Sequence, residues 1–146
     1  MNYLAQIKRL SDDVEEEVVL RINGVELTCF ATVCPYKIEE GASYQVKLTA
    51  QAFNDYLINE LGKEASPSIV QVGNSFSHII TGRLNDNRLN AGGIVFEDDM
   101  LLSDFGYLEG KIISWKVDRI DAEFLSMPGA GLNIVRLTKN RELLSW

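Results

Sequence analysis

The dipeptide Asn23-Gly24 sits between two stretches that are apolar at alternate positions, Val18, Leu20 and Ile22 before it and Val25, Leu27, Cys29 and Ala31 after it. Alternation with period two marks a strand with one buried face, and Asn-Gly tolerates the positive φ angles of a type I′ turn. Residues 17–22 and 25–32 are therefore expected to pair antiparallel. Pro35 ends the second strand, because it has no N–H for a ladder and restricts Cys34 before it.

The same period recurs. Tyr44, Val46, Leu48 and Ala50 form a third strand, and Phe76, His78, Ile80, Gly82 and Leu84 alternate with their neighbours as a fourth. Residues 88–91, 94–97 and 100–103 are short apolar pieces separated by Gly92-Gly93 and Asp98-Asp99, and they read as a meander of short strands. Residues 51–61 admit two readings. Ala52, Phe53, Tyr56, Leu57 and Leu61 fit one helical face with Gly62 as its cap, and a continued strand competes.

Residues 111–124 change phase. Ile113, Trp115 and Val117 share one face, whereas Ile120, Ala122 and Phe124 share the other parity. A straight strand cannot bury both sets on one side, so a bulge or bend near Asp118-Arg119 is required, and closed sheets use such bends at corners. Trp115 is expected inside, with Lys116, Asp118 and Asp121 outward. The expected fold is mainly β, a small antiparallel, strongly bent sheet or barrel with at most one or two short helices. One domain of 146 residues is of ordinary size. Within it, 127–131 reads as a joint and 125–146 as a loosely docked C-terminal extension.

Charge ranks the partners. Twenty-one acidic residues oppose fourteen basic ones, a net charge of -7. A polyanion is bound by basic side chains that displace its counterions, so nucleic acid is a disfavoured partner and a basic protein a favoured one. Residues 1–64 carry eleven acids and six bases, residues 65–110 six and two, and residues 111–146 four and six. No stretch reaches the roughly 18 consecutive apolar residues of a membrane span, and residues 1–11 lack the apolar core of a signal peptide. The expectation is a soluble, cytoplasmic protein.

Catalytic signatures are sparse. His78 is the sole histidine and no Gly-x-Ser-x-Gly accompanies it, which disfavours a serine nucleophile. Cys29 and Cys34 read as small hydrophobes of a buried strand, and two cysteines with one histidine cannot complete a usual zinc set. Neither Gly92-Gly93 nor the loose series Gly129 and Gly131 belongs to a phosphate-binding loop, and no cofactor and no metal is expected. Acidic doublets remain. Glu15, Glu16 and Glu17, together with Asp98, Asp99 and Asp104 around the apolar tetrad 100–103, are the candidate interaction residues. The leading reading is a non-enzymatic protein-interaction module for a basic partner. An oligonucleotide-binding-type barrel for single strands is the first alternative, and an enzyme using Asp98, Asp99 and Asp104 with a metal or ligand is the second.

Overall fold

The computed structural model describes residues 2–126. In chain order they form β1 (Asn2–Leu10), β2 (Glu17–Ile22), β3 (Val25–Val33), β4 (Ser43–Gln51), β5 (Leu57–Glu60), β6 (Ser68–Gln71), β7 (His78–Asn85), β8 (Arg88–Ala91), β9 (Ile94–Glu97), the short helix α1 (Asp99–Ser103), a 3-10 turn (Gly106–Leu108), β10 (Ile112–Val117) and β11 (Arg119–Phe124). The joint and most of the C-terminal extension expected from the sequence lie outside the described residues.

The Asn-Gly hairpin forms as its chemistry dictates. Asn23 has φ 51 and Gly24 φ 80, and β2 and β3 pair from Ile22↔Val25 out to Glu17↔Phe30. β1 pairs with β2, and β4 returns beside β1, so four strands lie in the order 4-1-2-3 of a Greek key. β11 then enters between β3 and β4 and closes the ring β1-β2-β3-β11-β4. Its pairing with β3 is parallel, whereas its pairing with β4 is antiparallel. Every ring strand directs one parity inward: Ala5 and Ile7, Leu20 and Ile22, Leu27 and Cys29, Val46 and Leu48, Ile120 and Ala122 are all buried.

A second, antiparallel sheet occupies the chain between β4 and β11, in the order β5-β10-β7-β8-β9 with β6 also on β7. Its inner face carries the registered row Ile69, Ile80, Trp115 and Ile58, which packs into the same hydrophobic cluster as the ring. β7 pairs with β6 along residues 78–81 and with β8 along 83–85. Gly82 marks the change of partner, and a Cβ there would run into the backbone carbonyl of Asn90. The phase change in 111–124 has a definite cause: β10 belongs to the second sheet, β11 to the ring, and Asp118 is the break between them.

Several expectations are corrected. Residues 100–103 are helical because Asp98 caps the turn, its side chain accepting from the Met100 N–H, with Asp99 in the first turn. Residues 51–61 form no helix; the Asp118 carboxylate accepts the Phe53 N–H, the chain turns, and 57–60 pairs with β10 instead. Asp121 is buried rather than outward, held by Gln51 and Arg119. Cys29 is buried as expected, but Cys34 is exposed beyond the end of β3. β1 and β6 are strands that the sequence reading left unassigned. No helix among the described residues is long and apolar enough to cross a membrane.

Candidate functional site

The acidic candidates fall on two separate surfaces. Glu15 and Glu16 lie in the loop 11–16 after β1, and both are exposed. Ser11 shapes this loop, its Oγ accepting the N–H groups of Asp13 and Val14 at 3.2 and 3.0 Å. The Ala31 N–H donates to the Glu16 carbonyl at 2.8 Å, which fastens the loop to β3. Glu17 is engaged by Arg9 at 3.3 Å, and Glu40 of the turn before β4 accepts the Leu10 N–H at 2.9 Å. Both loops thus sit at one mouth of the ring. Asp98, Asp99 and Asp104 lie elsewhere, because β9, which leads into them, is joined to Tyr3 near the start of β1, whereas loop 11–16 follows the far end of β1.

The hydrogen bond at that junction runs from the Val95 N–H to the Tyr3 hydroxyl oxygen, at 2.7 Å. From β9 the chain enters the segment 98–109, where the second surface is built. Asp98 is engaged twice, accepting the Met100 N–H at 2.9 Å and the Tyr56 hydroxyl at 2.7 Å. Asp99 accepts from Asn87 at 3.1 Å and Asp104 from Ser103 at 3.2 Å. The three carboxylates cap and brace the segment, and among the described residues no group of three or more His, Cys, Asp or Glu is gathered for a metal.

What this bracing presents is apolar. Leu101 and Leu108 are buried, while Met100 is 41% exposed, Leu102 50% and Tyr107 76%. A ladder of rings ties the segment to the core: Trp115 stacks on Tyr56 at 5.6 Å, Tyr56 on Phe105 at 6.2 Å, and Phe105 meets Tyr107 at 6.3 Å. Burial, the hydrogen bond to Asp98 and the charges of Asp98 and Asp104 push the Tyr56 hydroxyl up to about 12. It therefore stays a protonated donor throughout the neutral range. Asp99, Asp104 and Glu109 are exposed around the apolar side chains. The sequence reading singled out the carboxylates and missed Tyr56, Phe105 and Tyr107; the available signal was the pair Phe105 and Tyr107 directly after Asp104.

A third cluster joins ring and loop. The Arg119 guanidinium lies 4.2 Å from the Phe30 ring and 5.2 Å from the Phe53 ring. Its Nε donates to Asp121 at 2.7 Å, and Gln51 donates to the other oxygen of that carboxylate at 3.0 Å. The cation is thereby matched by a buried anion of the same strand. His78, the lone histidine, is fully buried and uses both ring nitrogens: Nδ1–H donates to the Phe76 carbonyl at 2.8 Å and Nε2 accepts the Thr28 N–H at 3.3 Å.

A family model matches residues 1–125. The chain belongs to the family described as Uncharacterised conserved protein UCP019853. The UCP019853 match ends one residue after Phe124, the last residue of β11, so it takes in the ring, the inserted second sheet and both acidic surfaces. Comparison with curated proteins and with solved structures found no match to this chain.

Proposed function

We propose that this protein is a non-enzymatic interaction module that docks a basic, amphipathic segment of another protein on the surface of residues 98–109. The observation that carries this reading is the exposure of Met100, Leu102 and Tyr107 on a segment whose backbone is anchored by Leu101, Leu108 and the Tyr56–Asp98 hydrogen bond. Apolar side chains rimmed by polar ones characterise binding surfaces, and Tyr and Met are enriched at the centres of such surfaces. Fixing the segment before binding reduces the ordering cost of association. Asp99, Asp104 and Glu109 supply the complementary charge for lysine and arginine at the rim, which raises the encounter rate and sets orientation.

The test compares partners captured from native lysate by the full chain and by Leu102→Asp and Tyr107→Ala variants, each at low and high salt. A basic protein retained by the wild type, lost with either variant and weakened by salt supports the reading. Equal capture by wild type and variants overturns it.

The single-strand alternative rests on Arg119 between Phe30 and Phe53, since aromatic stacking beside a cation suits bases. Asp121 already offsets that cation, and loop 11–16, fastened to β3 one residue past Phe30, carries Asp12, Asp13, Glu15 and Glu16. The protein reading is the better supported.

A further inference from the structure

One mouth of the ring leaves two apolar side chains exposed. Val14 is 38% exposed and Val33 46%, while Leu10, Tyr36 and Ile38 are half-buried and pack against the core. Loops 11–16 and 34–42 frame it, and with β1 residues 8–10 and Glu17 they bring seven carboxylates against three bases. The chain leaves the described fold at this same mouth: the Leu125 N–H donates to the Gln45 carbonyl at 2.9 Å, and the Tyr36 hydroxyl donates to the Leu125 carbonyl at 2.7 Å.

The twenty residues 127–146 that follow carry three bases, Arg136, Lys139 and Arg141, against the single acid Glu142. They also carry the apolar residues Leu132, Ile134, Val135, Leu143, Leu144 and Trp146. We infer that this C-terminal segment is the occupant of the mouth, with its apolar residues over Val14 and Val33 and its bases against the carboxylates of the two loops. Starting point, charge and composition all agree with that occupant. Reach is ample, because a residue spans about 3.3 Å when extended. A covalent tether also holds the segment at a millimolar-range effective concentration, so a weak contact suffices. The inference is independent of the partner surface at 98–109, which lies at the other end of β1.

Cys34, exposed beside Val33 and Tyr36, reports on the mouth directly. The experiment measures alkylation of Cys34 in the full chain and in a full-chain variant with Arg136→Glu, Lys139→Glu and Arg141→Glu. The inference expects several-fold faster labelling in the variant at low salt, with the wild type approaching the variant rate at roughly 0.5 M salt, where screening is nearly complete. Identical rates overturn it. A second arm applies a zero-length carbodiimide cross-linker to an equal mixture of isotope-labelled and unlabelled chains. Links from Lys139 to loop 11–16 or to Glu39 within one chain support the inference. Links only between differently labelled chains assign the mouth to a second copy, and links to residues 98–109 assign the segment elsewhere; both overturn it.

Discussion

Nε2 of His78, on β7, accepts the backbone N–H of Thr28, on β3, at 3.3 Å. β3 meets β11 only from Phe30 onward, so the imidazole supplies the acceptor that a strand neighbour would otherwise give at this edge. It also joins the second sheet to the ring.

That bond has a pH signature. A carbonyl can only accept, so Nδ1 keeps the proton toward Phe76 and Nε2 must stay unprotonated to receive Thr28. Burial lowers the pKa below its ordinary 6.5, opposed by the bond to the Phe76 carbonyl. The unfolded chain then takes up the proton first as pH falls. The contribution of His78 is complete above pH 6.5 and declines below it toward the folded-state pKa. Urea unfolding at pH 7.5 and 5 is expected to show a loss of stability that shrinks in His78→Gln, whose amide can make both bonds. An unchanged pH dependence in the variant refutes the assignment.

Gly82→Ala is expected to destabilise by about 3 kcal/mol, because the added carbon meets the Asn90 backbone, which cannot rotate away as a side chain can. Gly106→Ala is the control, since nothing lies within 4 Å of its Cβ position. Thermal unfolding of the two variants separates them; equal melting temperatures would show that β7 and β8 give way at this point.

Asp98→Ala removes both the cap of α1 and the acceptor of the Tyr56 hydroxyl. A stability loss of about 1–2 kcal/mol is expected from the cap. The Tyr56 hydroxyl should also titrate nearer its ordinary 10, because the hydrogen bond and the Asp98 charge both help to raise it. An NMR titration of the tyrosine rings reads this directly. Asp98→Asn should keep most of the capping energy while still lowering the titration point.

Arg119→Met leaves the Asp121 carboxylate buried with Gln51 alone. Removing one partner of a buried pair is costly, and with Arg119 itself 30% exposed in its side chain the expected loss is about 2 kcal/mol. The double change Arg119→Met with Asp121→Asn should recover part of it in chemical denaturation. Failure to recover would place the energy in the ring contacts with Phe30 and Phe53 rather than in the ion pair.

The elements legible in the sequence are those with local causes. Asn23-Gly24 encodes its turn in its own φ preferences, and the parity switch between Val117 and Ile120 encodes a break. The parallel pairing of β3 with β11 has no local cause; it depends on Phe30 and Asp121 meeting across most of the chain. The same holds for the site. The acids flanking 100–103 stand out in the sequence, but their bracing partner Tyr56 is 42 positions from Asp98. The strand parity of Asp121 suggested solvent, since the barrel exterior is normally wet. Burial there follows from Arg119, Gln51 and the rings above them, none of which alternation can reveal.

The inserted sheet also dictates an order of events in folding. Thr32 on β3 donates to the carbonyl of Ala122, 90 positions later, so β3 keeps one side without its strand until nearly all of the described chain has been made. The β1–β2–β3 meander and the β6–β7–β8–β9 part of the second sheet can each assemble from nearby segments, whereas ring closure requires a contact of very long sequence separation, the class of step that slows folding most. During synthesis the unclosed ring exposes the flanks of β3 and β4. The insertion therefore makes closure by β11 the last and slowest step, and the interval before it is when this chain is most open to mispairing with another.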